Sequence, residues 1–399
     1  MEPYAITGLG LVSPLGVGYE AFERGLRDWP DGSGPFRRES SLFKPDKIAD
    51  PLVAECHGFD AKQYLGDKGL RNFDRLTKLL IVAAKLALEH ADLKRDGVHR
   101  FAPERIGLSS ATAYGSLEAI TEAVLVTELE DPRFLNPNRF PNTVINAAAG
   151  YVSIWEDLRA PNVTVVDGNC GALDAVLNGE THLLYGRADA FLVGGGEALS
   201  DALYTAFRKL DVLADRGRHF APGSADSQGM LLGEGAAYLC IEQLKFAQER
   251  SARVLAEVVG YGNAFEPPAS EALLVHVSER AVERTIRMAL RDASLQPSDI
   301  DVVASAQSGI ANFDAAELTG IRAVFGDEVA VATPKAIFGE TFGAGGALAM
   351  SCAVAWLSSG APVAPLLRGA CPKTPKHALV LAVGYYGNAS AVVMRRRDA

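Results

Sequence analysis

Residues 162–177 read NVTVVDGNCGALDAVL, and this stretch decides the fold predicted for the chain. Its first five residues are mostly apolar and β-branched, which indicates a buried strand. Asp167, Gly168 and Asn169 fill a turn, and the residues after Cys170 have the composition and spacing of a helix. Cys170 is therefore predicted to lie at a helix N-terminus, where a strand turns sharply into a helix.

A thiol at that position has a specific chemistry. It faces the unpaired N–H groups of the first helical turn and the positive end of the helix dipole. Both favour the thiolate, which is the nucleophilic form of cysteine. The alternative is a buried structural thiol, because free cysteine is among the most buried residue types. The motifs around Cys170 favour the nucleophile.

Composition limits the class of protein. The 399 residues suffice for a large core, and 48% hydrophobic with 22% charged residues is ordinary for a soluble globular protein. The net charge of −10 argues against a nucleic-acid partner. We see no signal peptide and no apolar run long enough to span a membrane. Five scattered cysteines without a Cys-x-x-Cys pair fit a reducing cytoplasm and give no metal or redox motif.

Short apolar strands and amphipathic helices alternate along the chain, which predicts an α/β fold. Helices are predicted over residues 74–91, 242–251 and 276–293, and strands over 236–241, 254–259, 301–305, 379–383 and 389–394. Irregular connections are predicted over 30–50, 130–145 and 214–229. We place a junction between two halves near residues 245–255.

Four further sequence motifs flank Cys170 along the chain. They are AITGLGLVSPLG (5–16), NAAAGYVSI (146–154), GRADAFLVGGGE (186–197) and GMLLGEGA (229–236). In this order and spacing the chain resembles the β-ketoacyl-acyl carrier protein synthase family, which has the thiolase fold. The resemblance implies two similar halves, residues 1–250 and 251–399, each with a central mixed sheet between helices. It also implies that Cys170 is the acyl-accepting nucleophile.

The chain departs from the family at two histidines. The segments that carry them in the family read AQSGIANFD (306–314) and KAIFGETFGAGG (335–346) here, so that Ala306 and Glu340 stand at the histidine positions. Three other residues match polar positions of the family and are predicted to form a supporting polar cluster: Asp314, Glu317 and Lys335. An ion pair between Lys335 and Glu317 is an equally good explanation of that match.

These departures affect the expected chemistry. In the family, two histidine N–H donors stabilise the enolate formed when a malonyl thioester loses carbon dioxide, and loss of one such donor typically costs ~100–1,000-fold in rate. Ala306 has no donor, and an ionised Glu340 only accepts hydrogen bonds. Condensation by this chain alone is therefore not expected, whereas acyl transfer onto Cys170 is less excluded.

The family takes one oxyanion donor from a C-terminal glycine-rich loop, which also gates the site. That region reads Gly384-Tyr385-Tyr386-Gly387-Asn388 here, with two tyrosines where the family has mostly Gly and Phe. Bulky side chains at these positions would narrow or close the pocket. Packing of the loop and core explains the tyrosines equally well.

Two functions follow from the resemblance. The first is a non-catalytic subunit like the chain-length factors of type II polyketide or fatty-acid systems, which pair with a complete ketosynthase. The second is an active acyltransferase or unusual condensing enzyme that uses Cys170. In both cases the substrates are carried on the phosphopantetheine arm of an acyl carrier protein, and no bound cofactor or metal is expected. The strand at 163–166, which pairs across the two-fold axis in the family, predicts a dimer, and we expect a heterodimer.

Overall fold

A computed structural model describes residues 3–29, 35–36, 40–43, 48, 50–270, 273 and 275–397. The strands are β1 (Tyr4–Ser13), β2 (Gly16–Val17), β3 (Val53–Ala54), β4 (Lys94–Arg95), β5 (Val98–His99), β6 (Ile106–Ala111), β7 (Asn162–Val165), β8 (Ala190–Glu197), β9 (Leu232–Gly233), β10 (Gly235–Gln243), β11 (Ala256–Phe265), β12 (Val302–Ala304), β13 (Ala330–Ala332), β14 (Leu366–Arg368), β15 (His377–Val383) and β16 (Asn388–Arg395). The helices are α1 (Tyr19–Asp28), α2 (Lys62–Leu65), α3 (Arg75–His90), α4 (Leu117–Leu129), α5 (Ala147–Glu156), α6 (Gly171–Leu184), α7 (Asp201–Lys209), α8 (Leu244–Glu249), α9 (Glu279–Ala293), α10 (Ala311–Phe325), α11 (Lys335–Phe338) and α12 (Gly345–Ser358). Short 3-10 turns cover Leu70–Asn72, Pro103–Arg105, Pro132–Phe134, Phe140–Thr143, Gly168–Cys170, Pro297–Asp299 and Phe342–Ala344. The loop predicted over residues 30–50 lies largely outside the described residues.

Within the described ranges, one large mixed sheet organises the fold. Its strand order is β14-β13-β12-β15-β16-β11-β1-β10-β8-β6-β7, with β2 paired to β1 off this path. The first half of the chain supplies β1, β10, β8, β6 and β7, and the second half supplies the other main strands. The two halves meet where β1 pairs antiparallel with both β10 and β11.

Helices cover both faces of each half of the sheet. In the first half α3 packs on β1 and β10 and α6 packs on β8 and β6, while in the second half α9 packs on β11 and β16. Helix α12 contacts both β10 and β15, and its side chains from Gly346 to Leu357 are buried, so it lies inside the molecule between the two halves. This arrangement confirms the predicted α/β fold with two sheet-bearing halves.

The junction predicted near residues 245–255 falls between β10 and β11, at helix α8. Because β1 hydrogen-bonds to the strands on both sides of α8, the sheet continues without a break across this position. The division into residues 1–250 and 251–399 as separate domains stays a prediction.

Close packing between α3 and β1 explains two early glycines. A Cβ atom at Gly10 would lie 2.1 Å from the Ala87 nitrogen, and one at Gly8 would lie 2.5 Å from the Ala87 carbonyl oxygen. Helix α3 is fixed at its start by Asp74, whose Oδ1 accepts a hydrogen bond of 2.9 Å from the Thr77 N–H. The helix therefore lies directly on β1, and all ten residues of that strand are buried.

Strand β7 forms one edge of the sheet and positions the segment that contains Cys170. It runs parallel to β6, with Val165 opposite Ala111 in the register, and its other side is open. A strand is confirmed here, but its predicted burial is wrong: Asn162 is exposed, the other residues of β7 are half-buried and Val166 is 52% exposed, because the strand lies at the edge of the sheet. None of the helices in the described ranges combines the length and apolar character needed to cross a membrane.

Candidate active site

Cys170 lies where the sequence places it, at the start of helix α6. The chain leaves β7, passes through the 3-10 turn Gly168–Cys170 and continues directly into the helix. The Cys170 N–H donates to the Asp167 carbonyl at 3.0 Å, and the thiol donates to the Ala382 carbonyl with a sulfur–oxygen distance of 3.6 Å. The residue is 0% exposed.

The surroundings of Cys170 do not favour the thiolate, and that part of the prediction is wrong. Burial raises the pKa of the thiol well above its ordinary value, and the nearby carboxyl groups of Asp174 and Asp167 raise this pKa further. Hydrogen bonds from the Ser390 side chain and the Gly384 backbone act in the opposite direction but are weaker. The cost of placing a charge in a dry, acidic environment therefore outweighs the benefit of the helix terminus.

Glu340, at the second replaced histidine position, is completely buried and accepts hydrogen bonds from several groups. Its Oε2 atom accepts from Lys335 Nζ at 2.7 Å, from the Tyr385 hydroxyl at 2.6 Å and from Asn169 Nδ2 at 3.3 Å. Its Oε1 atom accepts from the Phe342 N–H at 2.9 Å. Lys335 thus forms its ion pair with Glu340, and the pairing with Glu317 suggested by the sequence is wrong.

Ala306, at the first replaced position, lines a small cavity of about 10 Å³ beside this cluster. Asn169, Lys335 and Ala382 form other parts of the same wall. A volume of about 10 Å³ holds roughly one water molecule and leaves no space for an imidazole ring. Ala306 and Lys335 therefore line one cavity with Asn169, which precedes Cys170 in the chain and also donates to Glu340. The roles that the motifs assign to these residues stay predictions.

Asp314 and Glu317 hold the backbone of the segment that contains Ala306. Asp314 accepts hydrogen bonds from the N–H groups of Ser308 at 2.8 Å and Gly309 at 2.9 Å, as well as from Gly223 at 2.8 Å. Glu317 Oε1 accepts from the Ala306 N–H at 2.7 Å. Both carboxyl groups shape the wall of the site and bind main-chain donors.

The loop at residues 384–388 covers the site with one tyrosine and exposes the other. The Tyr385 ring packs against Phe313, with ring centres 5.4 Å apart, while its hydroxyl contacts Glu340. Tyr386 is 65% exposed. The contact of Tyr385 with Phe313 fits the interpretation of the tyrosines as loop packing, and narrowing of the pocket by this loop stays a prediction.

The ends of this loop are fixed by hydrogen bonds. The Gly384 N–H donates to the Asn388 carbonyl at 2.9 Å, and the Gly387 N–H donates to the His276 carbonyl at 3.1 Å. Gly387 has a φ of 87°, a left-handed conformation that glycine adopts without strain. Asn388 Nδ2 donates to Asp167 Oδ1 at 3.0 Å, which ties the loop to the turn before Cys170.

Sequence reasoning missed three side chains next to Cys170. Asp174 lies one helical turn after the cysteine, and its carboxyl group accepts hydrogen bonds from Tyr261 and Ser390. The four-residue spacing in a predicted helix was a usable signal for Asp174, because such residues share a helix face. Tyr261 and Ser390 come from distant strands and had no local signal. Within the described ranges, no group of three or more His, Cys, Asp or Glu side chains is arranged to hold a metal ion.

Two buried carboxyl groups near the site predict how stability depends on pH. Burial raises the pKa of Glu197 to about 7 and that of Glu317 to about 8, from an ordinary 4.5. Between pH 4.5 and about 8 the folded chain therefore binds more protons than the unfolded chain. The free energy of unfolding should fall as the pH rises through this range. Urea titrations of the wild type and of E197Q and E317Q should show a weaker decline in the two variants. An equally steep decline in both would contradict this account.

Two family models match most of the chain in sequence. The model of the beta-ketoacyl synthase N-terminal domain matches residues 1–247, and that of the C-terminal domain matches residues 255–367. The chain belongs to the β-ketoacyl synthase family. The family assignment made from the motifs around Cys170 is thereby confirmed.

Relatives in the β-ketoacyl synthase family include a 3-oxoacyl-[acyl-carrier-protein] synthase and a polyketide synthase component. The chain is 30% identical to 3-oxoacyl-[acyl-carrier-protein] synthase 2 of Rhizobium meliloti over 87% of this chain and 84% of that protein. It is 29% identical to the actinorhodin polyketide putative beta-ketoacyl synthase 2 of Streptomyces coelicolor, over 98% of both chains.

Solved β-ketoacyl synthase structures share the fold over nearly the whole chain. The ishigamide ketosynthase/chain length factor superposes with a TM-score of 0.87 and 22% identity, covering 99% of both chains. A ketosynthase in complex with its chain length factor from Xenorhabdus doucetiae gives a TM-score of 0.79 and 18% identity, covering 99% of this chain and 98% of that one. The thiolase-like form of the α/β fold is confirmed by these similarities.

Proposed function

We propose that this chain is a chain-length-factor-like subunit that pairs with a complete β-ketoacyl-acyl carrier protein synthase. The observation that carries the proposal is the state of Glu340. Where the family has a histidine donor, this chain has a buried carboxyl group that accepts hydrogen bonds from Lys335, Tyr385 and Asn169. The hydrogen-bond donors around this position are therefore directed at the chain's own carboxyl group.

The charge that develops during condensation also supports a non-catalytic role for this chain. A developing enolate is negatively charged, and preorganised donors are the main source of its stabilisation. Lys335 Nζ and the Tyr385 hydroxyl are hydrogen-bond donors at this position, and both donate to Glu340. An enolate at this place would compete with a carboxylate for the same donors and would be repelled by its charge.

A partner subunit fits the surface of the chain. Strand β7 leaves an open edge, and Val166 beside it is 52% exposed. Helix α4 exposes further large apolar side chains, namely Ile120, Val124, Leu125 and Leu129. An open strand edge with an exposed apolar residue beside it supports association with a second subunit. The exposed apolar side chains of α4 form a second candidate contact surface. We propose that this subunit supplies the complete Cys-His-His site.

In this proposal the growing acyl chain arrives on the phosphopantetheine arm of an acyl carrier protein, and the chain itself holds no cofactor. Structural neighbours include a type II polyketide acyl-carrier protein in complex with its ketosynthase, which supports a carrier partner. All five cysteines are free thiols, and this fits a reducing cytoplasm.

The proposal is tested by assaying condensation with and without a partner. The purified chain is incubated with acyl and malonyl carrier protein, alone and after co-expression with the complete ketosynthase of the same organism. We expect no ketoacyl product from the chain alone, and a one-to-one complex with the ketosynthase whose product length depends on this chain. Robust condensation by the chain alone that is lost in C170A would overturn the proposal in favour of an unusual condensing enzyme.

A second candidate function is acyl transfer onto Cys170 without condensation. The thiol is retained at the start of α6, and a hydrogen bond from the Gly384 backbone lowers the pKa of this thiol. Intact-mass measurement after incubation with an acyl thioester should then show one acyl group per chain. The same mass change in C170A would place the acyl group elsewhere and contradict this candidate.

A further inference from the structure

An acidic side chain lies one helical turn from the thiol and is held by two hydroxyl groups. Asp174 is in the first turn of α6, four residues after Cys170 and on the same face of the helix. Its Oδ1 atom accepts hydrogen bonds from the Tyr261 hydroxyl at 2.5 Å and from the Ser390 hydroxyl at 2.6 Å. The carboxyl group is thus fixed in position next to the nucleophile.

Ser390 connects this carboxyl group to the sulfur atom. It lies on β16 directly opposite Ala382 of β15, whose carbonyl accepts a hydrogen bond from the Cys170 thiol. The Ser390 side chain is a second hydrogen-bonding neighbour of the sulfur and lowers the pKa of the thiol. Ser390 is 2% exposed, so the path from the sulfur to Asp174 is shielded from bulk water.

We propose that Asp174 is the proton acceptor for Cys170, reached through the hydroxyl group of Ser390. This inference rests on the second candidate function, acyl transfer onto Cys170. Ser390 takes the thiol proton and passes its own proton to Asp174, so that a thiolate and a neutral carboxylic acid result. The thiolate forms a bond to the thioester carbonyl, the old carbon–sulfur bond breaks, and the departing thiolate regains the proton from Asp174 through Ser390.

This transfer keeps the charge of the site constant. Burial raises the pKa of Cys170, and the carboxylates of Asp174 and Asp167 raise it further, so a thiolate beside an ionised Asp174 is unfavourable. Moving the proton to Asp174 removes that repulsion at the moment the thiolate forms. Burial and Asp167 raise the pKa of Asp174 to about 7, so both of its protonation states are accessible at neutral pH. The groups that face Asp174 are Asp167 from the turn, Tyr261 from β11 and Ser390 from β16.

The test is the rate at which iodoacetamide alkylates Cys170, followed by peptide mass mapping as a function of pH. A C371S background removes the one cysteine among the five that is not fully buried. We expect alkylation by the parent protein to rise with an inflection near the pKa of Asp174, which is about 7. In D174N and in S390A the rate of alkylation at neutral pH should fall by about tenfold or more. The curve of alkylation rate against pH should move to higher pH, and a tenfold fall corresponds to a move of about one pKa unit.

Whether D174N slows or accelerates alkylation of Cys170 distinguishes a proton acceptor from a carboxylate that only repels the thiolate. If Asp174 were only a negative neighbour, D174N would lower the pKa of the thiol and raise its rate of alkylation. D167N is the matched control, because it removes a nearby carboxylate without interrupting the path through Ser390, and its rate should not fall. A faster reaction in D174N, an unchanged rate in S390A, or no alkylation of the parent at any pH would each overturn the inference.

Alkylation needs neither a carrier protein nor a partner subunit. If the variants behave as expected but acyl thioesters fail to modify Cys170, the candidate acyl transfer fails while the proton path stands. Circular dichroism and thermal melts of each variant exclude loss of the fold as the cause, and S390A provides an independent measurement if D174N is unstable.

Discussion

Replacing Lys335 by methionine is expected to lower the free energy of unfolding by about 3–5 kcal/mol, because the Glu340 carboxylate is then left buried without its cation. Lys335 is 8% exposed and Glu340 is 0% exposed, and they are joined by a contact of 2.7 Å. The measurement is the midpoint and slope of urea unfolding for the wild type and K335M.

Three further variants distinguish loss of the ion pair from general disruption of the core. E340Q, which leaves the Lys335 ammonium unpaired, should be destabilised by a similar amount. The double variant K335M/E340Q removes both charges and should regain most of the loss. The surface pair of Arg287 and Glu283 is the control, and R287M should cost only about 0.2–1 kcal/mol. Additive losses in the double variant would show that the charges do not stabilise one another.

Replacing Thr164 by proline is expected to weaken pairing of the chain with its partner subunit. The N–H groups of Leu108 and Thr112 on the β6 side donate to the carbonyls of Pro161 and Val165. Alternate residues of a strand point to opposite sides, so the Thr164 N–H faces the open edge of β7. Proline removes that donor without breaking the pairing with β6.

In the proposed heterodimer only this chain carries the proline, so the pairing of the two edges loses one hydrogen bond. One bond at about 0.5–1.5 kcal/mol, together with the clash of the ring, should raise the dissociation constant by about 10-fold or more. Native mass spectrometry over a dilution series measures this change. T164V keeps the N–H group and the branched side chain and should assemble like the wild type. Normal assembly of T164P would show that the interface does not use this edge.

Local sequence patterns predict most of the helices and strands. The predicted helix ends are wrong where capping or buried side chains fix the end of a helix at a different residue. The helix predicted from residue 276 begins at Glu279, because the Ser278 hydroxyl caps it by accepting from the Ala281 N–H at 3.1 Å. The helix predicted from Glu242 is shorter, because Glu242 belongs to β10. Its buried carboxylate pairs with Arg250 at 2.6 Å, a contact that charge patterns along the chain do not show.

The site was predictable in its location and unpredictable in its contacts. Motif positions identify Cys170, Ala306 and Glu340, and the structure places them together. The partners of these residues depend on the tertiary fold: Ser390 is 216 residues from Asp174, and Tyr385 is 45 residues from Glu340. The sign of the Cys170 pKa shift also depends on such contacts, since burial and acidic neighbours oppose the helix terminus.

The position of β1 has a consequence for synthesis of the chain. This strand is synthesised before both of its main partners, β10 and β11, which follow only after residue 234. An apolar segment whose ten residues are all buried in the finished sheet is thus exposed on the nascent polypeptide during much of translation. Such a segment is a natural substrate for ribosome-associated chaperones, and the supply of these chaperones, more than the stability of the finished protein, should limit the yield of soluble product.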